Sequence, residues 1–316
     1  MSNEPSIFQQ CMLLVLEQRC AGGDRKIKKD KLEVKQNGDD GRAQDKAWHA
    51  SKKIFGASGE YAAITSLDTQ IRTRLEVLEL PAQFQRGTFA IPLKLVQQAQ
   101  ALVESYELDR LALIDKFCDA YEDVIDAQRA VLGPLFDITD YPVLSEIRGR
   151  FGVSYRWLAL GVPEQLAEIS VDLYNQQVQV QQEALAATMA EVQQGLRAAL
   201  KGLIDHLLNR LSEKDEAGRV KRLHGSAVDK IVEFLDLLPA KNVTGDQELQ
   251  RLAERARSIV TAVDVDTLKK PGFERAIVEK RLGEITKSID GLLETGKVRK
   301  FGGFNLPSAE PESKAS

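Results

Sequence analysis

Residues able to carry chemistry are few, and their spacing matters more than their number. The three histidines, His49, His206 and His224, stand at no helical spacing from one another. A di-iron bundle needs Glu-x-x-His pairs on facing helices, but Leu203 and Lys221 occupy the positions three before His206 and His224. The chain contains no phosphate-binding glycine loop, no dinucleotide fingerprint, no nucleophile elbow and no HExxH pair. No metal or cofactor set is therefore read from it, and an enzyme is the less favoured reading. Convergent sites assembled from distant residues stay open.

Two charged groupings remain. Asp115, Asp119, Glu122 and Asp126 step by 4, 3 and 4, which sets four carboxylates along one helical stripe. Such a stripe is a docking strip for a basic partner, because aligned charge speeds encounter with the opposite sign. A hard cation would need ligands from elsewhere as well, and the bland reading is a solvated face. The second grouping is basic: Arg25, Lys26, Lys28, Lys29, Lys31 and Lys35, with Lys297, Arg299 and Lys300 near the C-terminus. Six phosphate contacts would give log K against log salt a slope of about −5. Asp24, Asp30 and Glu33 dilute the cluster, however, and no aromatic platform is interleaved with it. A charged strand edge that resists aggregation is its bland reading.

These groups depend on the helices that carry them. From Leu185 the apolar residues Met189, Val192, Leu196, Leu200, Leu203, Leu207 and Leu211 follow at steps of 3 or 4, a spacing that only an α-helix keeps on one side. The eleven-residue recurrence averages about 3.67 residues per turn, so the seam runs nearly straight. The helix is predicted from Pro163 to about Glu213, roughly 75 Å long. Gly195 and Gly202 lie inside it, each costing about 1 kcal/mol against alanine. Close approach of another helix, from this chain or a second copy, would offset that cost. The run from Asn175 to Gln182 is polar without charge. Its amides either fix register in an interface or face water.

Upstream, Tyr61, Ile64, Leu67, Ile71, Leu75 and Leu78 predict a helix from about Ser58 to Leu80. A second is predicted over 92–132, opened by Pro92 and closed by Gly133 and Pro134. Its seam includes Val103, Tyr106, Ile114, Phe117, Tyr121 and Val124. Residues 134–162 read as an elbow with one or two short helices. Three further helices are predicted near 219–238, 246–263 and 272–295, separated by Pro239 and by Pro271-Gly272. Residues 1–57 are a β-containing portion: Met12–Glu17 and Lys26–Val34 fit two strands about a Gly22-Gly23-Asp24 turn. Residues 58–295 form the helical bundle, and 296–316 have the composition of a disordered tail.

The expected fold is mainly α: an elongated antiparallel helical bundle with coiled-coil-like long helices and a small β-containing N-terminal portion. Aromatic residues are only 6% of the chain and the net charge is −4, which excludes a protein basic throughout. The charge is uneven, with 11 Asp/Glu against 3 Lys/Arg in 101–147 and 21 Lys/Arg against 17 Asp/Glu in 196–302. Three cysteines without a paired spacing suit a reduced, cytoplasmic protein. The apolar run Cys11–Leu16 is too short for a bilayer, which takes about 20 residues. Acidic Glu4 ahead of it and no small-residue cleavage site after it argue against a signal peptide.

Leu80, Pro81, Phe84, the run Gly87–Pro92 (GTFAIP), Tyr141, Pro142 and Phe151 carry a resemblance. Together with the β-like start over Met12–Val34, they resemble an uncharacterised family encoded by bacteriophages and mobile elements, classed as a domain of unknown function. The likeness covers about residues 8–240. It implies an accessory protein encoded near MoxR-type AAA+ ATPases and von Willebrand factor A-type proteins. No catalytic residue is established for that family, so none transfers. The expected function is a self-associating helical interaction or scaffold protein, a homo-oligomer for which the resemblance implies a MoxR-type AAA+ ATPase as partner. The alternative is a nucleic-acid-binding accessory using the basic clusters; no membrane partner is expected.

Overall fold

The computed structural model describes residues 10–27, 50–82, 87–159, 161–212, 226–262 and 272–293. It is mainly helical, 71% helix with nine α-helices among the described residues, and carries a small sheet. None of these helices is long and apolar enough to cross a membrane. The predicted tail and the basic residues Lys28, Lys29, Lys31, Lys35, Lys297, Arg299 and Lys300 lie outside the described residues.

Strand β1, Cys11–Arg19, is central in a three-stranded sheet. Its neighbours are β4, Thr88–Pro92, and β5, Gly152–Leu158. The β1–β4 pairing is antiparallel, Cys11 opposite Pro92 and Val15 opposite Thr88. A strand flanked on both sides suits the run in which Cys11, Leu13, Leu14 and Leu16 are all buried. Of the second strand expected after the Gly22-Gly23-Asp24 turn, Lys26–Val34, residues 28–34 lie outside the described residues. Asp24–Lys26, β2, pairs with β3, Ser51–Lys53. The polar triplet Asp24-Arg25-Lys26 cannot cover an apolar strand, whereas Phe89, Ala90 and Ile91 of β4 can. Strand β5 replaces part of the expected elbow. Its Val153, Tyr155 and Trp157 are half-buried and alternate with exposed Ser154, Arg156 and Leu158, the period of a strand.

The described chain forms two compact units. One comprises residues 16–73 and 100–156. Helix α1, Gly59–Leu78, supplies its first turns, opened by Ser58. The Ser58 hydroxyl accepts from Tyr61 N at 3.1 Å and donates to Glu60 at 3.0 Å, an N-cap. The helix predicted over 92–132 is two helices, α2 (Val96–Asp119) and α3 (Tyr121–Leu132). They meet at Ala120, whose ψ of 5° bends the path. The bend lets the Tyr121 hydroxyl donate to Pro142 O at 2.8 Å. Phe117 meets Tyr121, Phe151 and Phe55 edge-on at centroid distances of 5.7, 5.6 and 5.3 Å, favourable aromatic geometry. Gly133, at φ +50°, closes α3 where the sequence places the stop. Helix α4, Leu144–Ile147, buries Ile147 in the same core.

The other unit contains residues up to 15, 74–99 and 157 onward. Its helices are α5 (Gln165–Ile169), α6 (Val171–Ser212), α7 (Ser226–Lys241), α8 (Gln247–Thr261) and α9 (Phe273–Asp290). The long helix begins at Val171 rather than Pro163, because Ser170 is extended, at φ −159° and ψ 117°. Its hydroxyl accepts from Leu173 N at 3.3 Å. An N-cap serine favours that backbone, so it starts a new helix. The 42 residues of α6 span about 63 Å. Pro239, expected as a separator, lies in the last turn of α7. So near the helix end its missing N–H removes one bond, and Asn242 N still reaches Leu238 O at 2.8 Å.

The core of this unit is built on α6: Val192, Leu196, Leu200, Leu203, Leu207 and Leu211 pack with Ile231, Phe234, Leu252, Leu282 and Ile285. Arg197 ties three segments, donating to Asp246 at 2.7 Å and to Leu292 O at 2.7 Å. Asp246 in turn caps α8 through Leu249 N at 3.0 Å. Buried Arg275 donates to Leu211 O, satisfying carbonyls at the end of α6.

Candidate functional site

The most densely connected polar group was invisible as a motif. Asp68 stands on α1, Tyr106 and Arg110 on α2, Gln18 and Cys20 at the end of β1. Arg110 is 1% exposed. Its Nε donates to Asp68 Oδ1 at 2.8 Å and its Nη2 to Asp68 Oδ2 at 3.2 Å and Arg19 O at 2.9 Å. The Tyr106 hydroxyl donates to Asp68 Oδ1 at 2.6 Å and accepts from Gln18 at 2.8 Å. The Cys20 thiol donates to Asp68 Oδ2 at 3.2 Å. Gln18 Oε1 accepts from Arg72 at 2.6 Å.

Electrostatics follow from that geometry. Burial works against the Asp68 carboxylate, but the hydrogen bonds from Arg110, Tyr106 and Cys20 outweigh it and hold its pKa below the usual value. Burial, and then Asp68 itself, push the Cys20 thiol up to about 11 and raise Tyr106 as well. Cys11 is raised to about 11 by burial alone. Both thiols are thus held protonated, and a protonated thiol is a poor nucleophile and ligand. Every oxygen of Asp68 is engaged. The cluster joins α1, α2 and the end of β1; it is a clamp, with no lone pair presented to a substrate. Its sequence signal is an arginine at the seam position after Tyr106, in a helix whose seam is otherwise apolar.

The predicted acidic stripe crosses Ala120, where α2 gives way to α3. Asp115 and Asp119 end α2, while Glu122 and Asp126 belong to α3. Asp115 pairs with Arg148, and Asp126 with Arg129 at 3.7 Å. Asp119 and Glu122 are exposed. Of the basic set, Arg25 donates to Asp140 O at 3.3 Å and to Asp24 O at 2.9 Å, and Lys26 is exposed on β2. His206 is half-buried on α6, and burial with Arg210 and Lys230 lowers its pKa. Among the described residues no group of three His, Cys, Asp or Glu is placed to hold a metal ion.

The seam of α6 divides instead. Gly195 is buried and Gly202 half-buried, so helices of the same chain cover that strip. Met189 packs partly against the core, and from Val192 to Leu211 the seam is closed. Before it, none of the described side chains from Val171 to Ala190 is buried. Val171 is 62% exposed and Val180 52%. Tyr174, Val178, Gln181 and Thr188, which continue the buried seam N-terminally, are half-buried. The glutamines between them, other than Gln181, face water. About five turns of α6 therefore present a stripe outside its own core in which Val171, Tyr174 and Val178 are joined by Gln181 and Thr188.

A titratable pair also lies in this unit. Lys241, at the end of α7, donates to Val77 O at 3.0 Å, and burial lowers its pKa to about 8 against the opposing charge of Glu79. Burial pushes the Glu79 carboxyl up to about 8, Lys241 opposing. A carboxyl raised above its unfolded value favours the fold below the unfolded pKa and loses that contribution as pH rises through about 8. Glu79→Gln is therefore expected to raise stability at pH 9, and to raise it far less at pH 5, where the carboxyl is protonated in the fold. Lys241 is largely neutral at pH 9 and loses little with its partner. Urea melts at the two pH values check this.

Comparison with known protein families, curated proteins and solved structures finds no match for this chain.

Proposed function

We propose that this chain is a non-enzymatic helical interaction protein whose working surface is the open first half of α6. The observation that supports it is the division of one seam. From Val192 onward the stripe is buried in the core that α6 shares with α7, α8 and α9, while from Val171 to Thr188 the same stripe remains outside it. A long helix that leaves an apolar stripe exposed is a recognised means of helix-to-helix docking. The polar cluster on Asp68 supports the same reading from the other side, since its donors are consumed in holding the fold. Within this proposal the long helices form an antiparallel, coiled-coil-like bundle, and the resemblance to phage and mobile-element proteins makes a MoxR-type AAA+ ATPase the first partner to test.

The test is capture of partners from the native host with the wild-type chain and with Val178→Glu/Gln181→Glu. Glutamate is a good helix former, so the variant keeps α6 while charging the stripe. Loss of the captured proteins with unchanged helical circular dichroism is the expected result. Capture of the same proteins by both chains would contradict the proposal. Retention of nucleic acid by the wild-type chain, lost with rising salt, would instead favour the basic-cluster reading.

A further inference from the structure

We infer that the open half of α6 is an interface with a second copy of this chain, packed antiparallel. The inference rests on the docking role proposed above and names its occupant. Three observations carry it. First, the open stripe continues a seam that is already a helix–helix contact: Met189 touches the core that Val192 begins. A helix laid beside Tyr174 and Val178 would extend the same packing without a change of register.

Second, the flanks carry no partner code. Positions beside a helical seam usually hold charges that select a different partner and its orientation. Here the segment 171–190 holds only Asp172 and Glu183 as charges, with no Lys or Arg. Its polar positions are mainly side-chain amides, from Asn175 to Gln182. An amide both donates and accepts, so it is complementary to another copy of itself. A basic partner helix would find little to pair with, whereas an identical helix meets its own chemistry.

Third, the covered half sets the direction. Beyond Val192 the stripe is occupied by α7, α8 and α9. A parallel copy would place two such occupied ends side by side. An antiparallel copy places them at opposite ends of the open stretch, about 28 Å long. That arrangement has two-fold symmetry and closes on itself, as most homo-oligomers do. Five turns form a small interface, below the size of permanent dimers, so the pair exchanges and its population depends on concentration.

The experiment is light scattering on the full chain over a dilution series, for the wild type and for Val178→Glu/Gln181→Glu. The expected wild-type mass rises with concentration from 35.1 kDa toward twice that value. The variant is expected to stay at the single-chain mass with unchanged helical content. A wild-type mass that stays single at every concentration would overturn the inference. So would a dimer that the charged variant leaves intact. Should the wild type stay single while the variant still loses partners from the host, only the second-copy inference fails and the docking role stands. Should neither mass nor capture respond to the substitutions, both fail.

Discussion

Replacing Arg110 by methionine is expected to lower the stability of the chain by about 3–5 kcal/mol at neutral pH, read from urea denaturation. Arg110 is 1% exposed, and its guanidinium supplies two of the four side-chain donors on Asp68 together with the bond to Arg19 O. Methionine fills much of the same volume but leaves a carboxylate half out of water without its cation. The sign of the pH dependence is fixed by Asp68. Its pKa is depressed in the fold, so its contribution is present above the unfolded value of about 4 and is lost as pH falls through the folded one. Without Arg110, burial dominates and the carboxyl protonates more readily. The gap between wild type and variant is therefore expected to narrow in acid. A loss below about 1 kcal/mol, the range of exposed ion pairs, would mean that the clamp contributes no more than a surface contact.

The second large effect distinguishes the two halves of α6. Leu200→Ala removes a fully buried side chain from the centre of the closed seam. The expected cost is about 2–5 kcal/mol, transfer and cavity together. Val178→Ala, on the open half, removes a side chain that the isolated chain covers only in part, and alanine is the better helix former. Its expected effect lies within about 0.5 kcal/mol in dilute solution. Equal losses at the two positions would show that the first half of α6 is covered as fully as the second.

Periodicity made the helical frame legible because each long helix repeats one requirement many times. The seam from Val192 to Leu211, the start of α1 at Ser58 and the stop at Gly133 all follow from local rules. Strand β1 was legible as an apolar run, but its partners were not. Pairing is decided by which distant strands can cover Leu13 and Leu14, and the spacing between strands does not encode that. The bend at Ala120 has no glycine or proline to announce it; it answers to the aromatic contacts of Phe117 and Tyr121. The Asp68 clamp joins residues up to 91 positions apart, which no motif spacing encodes. The open half of α6 looked like the rest of the seam in sequence, because exposure depends on where α7, α8 and α9 reach.

The most direct measurement is hydrogen exchange along α6 in dilute solution. Amides from Val192 to Leu211 are expected to exchange slowly, through opening of the core, and those from Leu173 to Met189 orders of magnitude faster. Raising the concentration should slow the second group alone. Uniform slow exchange along the whole helix at high dilution would contradict a free apolar half, and with it the docking role assigned to this chain.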